Sequence, residues 1–272
     1  AINNVAVAKR TLNTTMRETL LAIDQSYYEV IKHQKQAKLL AQAREIRLGQ
    51  LEIINARFAI GLASKLEQMR AEGLVMQYQL ELEYIEAKLV TAYQNLLSVV
   101  GMGFETDLSI EEEDFAFQDY QLKYHDLSDL SYRLLEGNPA LLQAKEQLEL
   151  ARLDESTAVV AEVAPVYQEL KSLQRQRLEL QLQKNLERLM LHVLELETQL
   201  DQLKALYKLR AKEVEIAAEN HRIAQLRYEE GMEVALTVLQ AELDLYQAQY
   251  EKITTLFDYN IVKSQLRNIV GD

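Results

Sequence analysis

The chain has 272 residues, no cysteine, 8 glycines, 2 prolines and a formal net charge of −12. Without cysteine there are no disulfides or thiolate metal sites, and without a basic stripe there is no footprint for a nucleic-acid backbone. No apolar run reaches the roughly 18–20 residues a membrane helix needs, and no signal peptide opens the sequence, so no membrane insertion by this chain itself is expected.

From Ala1 to Phe58 there is no proline and one glycine, Gly49, which predicts a single helix over about 1–58. At ~1.5 Å per residue its length is on the order of 85 Å. Its apolar seam reads Leu12, Met16, Ile23, Val30, Ala37, Leu40, Leu51, Ile54 and Phe58, with Thr19, Ser26, His33, Arg44 and Arg47 at seam positions. Polar seam residues fix register or face a wet interior. A return helix follows from Leu62 to Val100, with Leu66, Met69, Met76, Leu80 and Ala87 in steps of three and four, and it stops at Gly101-Met102-Gly103.

Residues 102–137 lose the heptad. Glu111-Glu112-Glu113-Asp114 reads as a solvated face, and Phe115, Phe117, Tyr120, Tyr124 and Tyr132 predict short helices packed crosswise. Asn138-Pro139 then opens a helix, with Asn as cap and Pro at the first helical position. That helix is expected to run to Ala164, and the small residues Ser156, Thr157, Ala158, Ala161 and Ala164 suit close helix approach.

A second long helix is predicted over 172–229. Its seam steps by four and three through Leu182, Leu186, Leu189, Val193, Leu196, Leu200, Leu203, Tyr207, Arg210, Val214, Ala217, His221, Ala224 and Tyr228. A sustained 3.5-residue period implies a left-handed supercoil with a neighbour. A second stripe shows Leu178, Leu191, Leu194 and Leu209. The last helix continues the pattern through Leu236, Leu239, Leu243, Tyr246, Tyr250, Ile253 and Phe257.

These helices are copies. Arg57-Phe58-Ala59-Ile60-Gly61 and Arg227-Tyr228-Glu229-Glu230-Gly231 share an offset of 170, as do Leu66/Leu236, Ala71/Ala241, Glu72/Glu242, Gln77/Gln247, Glu81/Glu251, Leu96/Leu266, Val100/Val270 and the closing glycines Gly101/Gly271. The chain is a duplicated helical hairpin with Gly61 and Gly231 as corners. A helix that stops and reverses needs a residue that takes positive φ freely, and a cation in its last turn meets the negative end of its dipole. The corners read as αα-hairpin turns and, as paired exposed tips, as a surface that docks a partner. The organisation expected is a first hairpin over 1–101, a short-helix segment over 102–137 and a second repeat over 138–272.

Catalytic and cofactor chemistry is missing. None of His33, His125, His192 and His221 has a Glu three residues before it, so no di-iron motif is present. There is no zincin motif, phosphate loop or nucleophile elbow either. A non-enzyme without metal or cofactor is expected.

The corner motifs resemble the TolC-like outer-membrane factor family. Its aromatic-x-x-Gly corner and the stretch after it have counterparts in Phe58-x-x-Gly61 with Leu66-Glu67-Gln68-Met69-Arg70-Ala71, and in Tyr228-x-x-Gly231 with Leu236-Thr237-Val238-Leu239-Gln240-Ala241. Its second-repeat opening matches Asn138-Pro139-Ala140-Leu141-Leu142-Gln143-Ala144. The resemblance implies an all-α chain of long antiparallel coiled-coil hairpins, and a homotrimeric helical duct in the periplasm of the cell envelope. It also implies tips that dock a periplasmic adaptor, which serves an inner-membrane pump. The docking residues carried over are Arg57, Phe58, Gly61, Leu62, Glu67, Arg227, Tyr228, Gly231, Met232, Glu233, Thr237 and Gln240.

Three departures qualify this. The family's membrane β-strands fall between the helix ending at Pro165 and the next long helix, and residues 166–171 are too few for strands of ~9–11 residues each. Val166-Tyr167 could at most start a short strand. The first helix of repeat one has no counterpart, so an isolated chain is expected either to form an incomplete trimeric barrel of marginal stability or, as the favoured outcome, to fold its arms together as a monomer or dimer. Family members with a closed tip line it with acids on the second corner helix and lock it with an Arg two residues past the corner glycine. Thr237, Gln240 and Glu233 stand there instead, while Glu67 keeps an acid on the first corner helix. The alternative to a duct is a coiled-coil scaffold derived from the family without channel activity.

Overall fold

A computed structural model describes residues 2–106, 110, 116–161 and 164–270, the side chains of 2–4, 6, 7 and 10 excepted. Among these residues six helices form: α1 (Ile2–Ala59), α2 (Lys65–Val100), α3 (Leu127–Gly137), α4 (Pro139–Val160), α5 (Pro165–Glu229) and α6 (Ala235–Val270). No strand occurs among the described residues. The all-α expectation holds, and α1 and α5 are the two longest helices.

α5 starts seven residues before its expected position. The Ala164 carbonyl accepts from the Tyr167 and Gln168 N–H groups at 2.8 and 3.2 Å, so Pro165 takes the first helical position, where its missing N–H costs nothing. Val166 and Tyr167 are therefore helical. α4 ends at Val160, leaving 161–164 as the connection. Asn138 caps α4 as its sequence indicates, its Oδ1 accepting from the N–H groups of Ala140 and Leu141.

Of the crosswise helices expected over 102–137, one, α3, is found among the described residues. Tyr120, Leu122 and Tyr124 are half-buried while Gln121, Lys123 and His125 are exposed. That period of two belongs to an extended segment. The acidic run 111–114 and Phe115 lie outside the described residues.

The chain divides into two compact units, Ala22–Gln118 with Asp201–Ile261, and Ala1–Leu21 with Asp119–Leu200 and Val262–Asp272. In the second, Leu130, Leu134 and Val193 are fully buried, and Arg175 ties α5 to Glu155 of α4 at 2.6 Å. Ala158 is buried, in keeping with close approach at that end of α4. There Tyr124 donates to Glu197 at 2.8 Å, a bond that, ahead of partial burial, raises its hydroxyl pKa. Asn268 of α6 donates to the Arg17 carbonyl of α1, and Arg17 donates to the Gly137 carbonyl.

The first unit carries the corners. Val30, Ala92 and Leu96 make one core cluster, and Ala43, Ile46 and Leu243 another. Phe257 and Tyr259 of α6 are fully buried, and the Tyr259 ring sits 4.7 Å from Phe117 while its hydroxyl donates to the Gln118 carbonyl. α2 separates Gly61 from Gly101 by about 54 Å along its axis.

Gly61 and Gly231 have φ of 76° and 71°, and a Cβ added at either would meet no atom within 4 Å, so only backbone strain opposes a side chain there. Gly61→Val is expected to destabilise the first unit by about 1–2 kcal/mol. Gly73 is helical with the same open space, so Gly73→Ala should stabilise by about 0.5–1 kcal/mol. Urea unfolding of the two variants checks both signs.

Candidate partner-docking site at the two helical corners

Each corner closes with the same pair of hydrogen bonds. Gly61 N–H donates to the Phe58 carbonyl at 3.0 Å and Leu62 N–H to the Arg57 carbonyl at 2.8 Å. Gly231 to Tyr228 and Met232 to Arg227 repeat those distances. This is the Schellman arrangement, which satisfies the last carbonyls of a helix around one left-handed residue. The Arg-aromatic-x-x-Gly motif thus supplies carbonyls by position, which leaves its side chains free to face outward. Phe58 and Tyr228 are exposed, with the Lys65 ammonium 5.8 Å from the Phe58 ring centre.

The return helices start differently. Ser64 Oγ accepts from the Glu67 N–H at 3.2 Å while Glu67 Oε2 accepts from the Ser64 N–H at 2.6 Å, a capping box. These bonds from Ser64 hold the Glu67 carboxyl below the usual carboxylate range. Glu67 is therefore engaged in starting α2. At the second corner the equivalent positions are Val234 and Thr237, which cannot make that box. Glu233 fills in, its Oε1 accepting from the Thr237 hydroxyl at 3.0 Å and from the Val234 N–H at 3.3 Å. Ser64→Ala should cost about 1 kcal/mol and Val234→Ser should recover a similar amount, read by thermal unfolding.

The two corners are neighbours. Leu236 of α6 lines a cavity of about 230 Å³ together with Ala63, Glu67, Arg57 and Arg70. Gln240 accepts from Arg47 of α1 at 3.4 Å and donates to Asp244 at 2.7 Å. Leu62 and Met232 are about two-thirds exposed, at 65% and 68%. Ile60 and Val234 are exposed as well and were missed from sequence; an apolar residue next to a corner glycine is the signal that would have found Ile60, while Val234 lies three residues past Gly231.

Among the described residues no group of His, Asp and Glu could hold a metal, and no helix is long and apolar enough to cross a membrane. No family model matches the chain, and no curated protein does. Solved structures do. A membrane protein from Pseudomonas aeruginosa is similar with a TM-score of 0.80 and 16% identity over 97% of this chain and 70% of its own. The outer membrane protein VceC from Vibrio cholerae gives 0.77 and 17% over 98% and 72%. The open state of the Neisseria gonorrhoeae MtrE outer membrane channel gives 0.78 and 15% over 96% and 68%. The likeness to TolC-like outer-membrane factors carried by the corner motifs is thus a likeness of fold, and the chain has the helical fold of these outer-membrane channels.

Proposed function

We propose that several copies of this chain form the helical wall of an export duct in the cell envelope, with the corners at Gly61 and Gly231 docking a periplasmic adaptor. A mismatch between the two repeats carries the reading. On α6 the stripe Leu236, Leu239, Leu243, Tyr246 and Tyr250 is covered, in part by Ala43 and Ile46 of α1. An offset of 170 turns that stripe into Leu66, Met69, Gly73, Met76 and Leu80 of α2, all of them exposed. The same offset turns Ile46 of α1 into Ile216 of α5, which is exposed together with Leu206, Leu209 and Ile223.

So one seam, α1 on α6, is made within the chain. The two halves of its equivalent, α2 and α5, stand open. Helices with two apolar stripes bury both, and α2 of one copy against α5 of the next completes the second seam. Such a heterologous contact closes into a ring when its rotation allows, and a ring of long helices encloses a lumen. The family resemblance implies three copies, and the exposed apolar tips suit an adaptor that links the duct to an inner-membrane pump.

The short α4–α5 connection at 161–164, where the resemblance calls for membrane strands, favours a second reading as a scaffold without a channel. Light scattering with small-angle X-ray scattering at micromolar concentration separates the two. A stable, hollow trimer supports the duct; a monomer or dimer at every concentration favours the scaffold.

A further inference from the structure

The chain has a formal net charge of −12, and one cavity runs against that balance. Beside the first corner, the cavity of about 230 Å³ is lined by Arg47 and Arg57 of α1 and Arg70 of α2, with Glu67 the one carboxylate among its described lining residues. That carboxylate is already committed to the start of α2. Its Oε2 accepts from the Ser64 N–H at 2.6 Å and from the Ser64 hydroxyl at 2.7 Å.

None of the three guanidinium groups forms an ion pair among the described residues. Arg47 donates from Nη1 to two neutral amide oxygens, those of Gln50 at 2.8 Å and Gln240 at 3.4 Å, and its buried Nε–H meets no acceptor. Its other contact is the Tyr78 ring, 5.4 Å away, which supplies no carboxylate. Arg57 donates to the Leu62 carbonyl at 3.5 Å, and Arg70 makes no hydrogen bond among the described residues. A guanidinium presents a planar fork of N–H donors that matches the two oxygens of a carboxylate. Bonds of that kind are about twice as strong as neutral ones. Arg47 is half-buried, so salt screens its attraction for an anion less than that of the exposed Arg57 and Arg70.

The hairpin itself does not call for this cluster. At the duplicated positions, 170 further on, Arg57 is kept as Arg227, while Ala217 and Gln240 stand in place of Arg47 and Arg70. The corner at Gly231 closes with the same backbone bonds without them, so two of the three cations serve something other than the turn. In the α2–α5 seam proposed above, Arg70 meets α5 of the next copy as Gln240 meets α1, and the residue there in place of Arg47 is Ala217. The neighbouring copy thus sets no carboxylate opposite Arg70.

We propose that this cavity is a carboxylate-binding site that receives a Glu or Asp side chain of the protein docked at the corners. Resting on the docking reading, it adds the partner's chemistry, an acidic residue flanked by apolar ones. Ile60 and Leu62 of the same corner are 71% and 65% exposed, which supplies the apolar flank. Ile54, Leu74 and Leu236 complete the cavity wall. A bare inorganic anion would leave that wall against water, whereas the methylene stem of an acidic side chain covers it, in the usual pattern of an apolar pocket with a few polar groups.

The test uses the full chain and two synthetic peptides of one amphipathic helical sequence, with glutamate beside the leucine stripe in the first and glutamine in the second. Binding is followed by calorimetry and by the NMR signals of the arginine Nε–H groups, assigned with Arg47→Ala and Arg70→Gln, the residues of the second repeat. The glutamate peptide is expected to bind, to move the Arg47 and Arg70 signals, and to lose about tenfold in affinity in Arg70→Gln. The glutamine peptide should bind the wild type about tenfold more weakly and lose little in the variant.

Equal binding of the two peptides with both arginine signals unmoved keeps the corners as a docking surface and overturns the carboxylate site. Acetate or inorganic phosphate that moves the signals while neither peptide binds assigns the cavity to a free anion and overturns it as a partner's subsite. Signals that move on raising the protein concentration alone assign the carboxylate to a second copy, which overturns it too. No response of the Gly61 and Gly231 amides to either peptide is the failure of the docking reading, and the proposal falls with it. If Arg70→Gln does not fold, the two peptides compared on the wild type still decide.

Discussion

Phe257→Ala is expected to destabilise the first unit by about 3–5 kcal/mol, the range for emptying a fully buried aromatic site. Phe257 has no exposed surface, and its ring lies 6.2 Å from that of Tyr28 on α1. The neighbours around it come from long helices held along their length, so the site cannot collapse easily onto the gap. Denaturant unfolding followed by far-ultraviolet circular dichroism gives the value. A loss below 1 kcal/mol would mean that this half of α6 is not a core element despite its burial. Tyr259→Phe, which removes only the hydroxyl bond to Gln118, should cost about 1 kcal/mol by comparison.

Phe257 was legible in the sequence because it ends an unbroken heptad, and the corner glycines were legible because a duplicated motif marks them. Other features were legible only in part. The buried stripe of α1 runs through His33, Gln36, Leu40, Ala43, Ile46 and Gln50. The seam expected from sequence placed Ala37, Arg44, Arg47 and Leu51 at four of these levels, each one residue too far along. A shift of one residue brings Ala43 and Ile46 inward and moves both guanidinium groups to the flank, where Arg47 lies over the Tyr78 ring at 5.4 Å.

α2 misled for a different reason. It has two heptads on opposite faces, and the one that the corner motif opens, Leu66, Met69, Met76 and Leu80, faces out. The inward one runs Ala71, Val75, Tyr78, Leu82, Ile85, Leu89, Ala92 and Leu96. Periodicity identifies a stripe but not which neighbour covers it. The start of α5 was hidden by Pro165, which reads equally as a stop for α4 and as the first residue of the next helix. Tyr259 was missed because its partners, the Phe117 ring and the Gln118 carbonyl, lie outside any helix, where no heptad points to them.

The same substitution at two positions 170 apart should have opposite consequences. Ile46 is 8% exposed in the α1–α6 seam, and Ile216 is 54% exposed on α5. Ile46→Glu places a carboxylate among Ala43, Leu243, Leu239 and Tyr246 with no apolar face to spare, a change of the kind that costs more than ~4 kcal/mol or leaves the first unit unfolded. Ile216→Glu changes a solvated side chain, so its effect on the unfolding of a single chain should stay within about 0.5 kcal/mol. If α2 of one copy covers α5 of the next, the charge at 216 falls in that seam and the assembly should dissociate, seen as monomer mass by light scattering. Met76→Glu, on the facing stripe of α2, should do the same, because Met76 stands to Tyr246 as Ile216 stands to Ile46. Pairing Ile216→Glu with Met76→Lys then puts opposite charges on the two faces and should restore part of the assembly. Assembly that survives both single substitutions would place the contact between copies elsewhere, and the open stripes of α2 and α5 would have to meet a different protein.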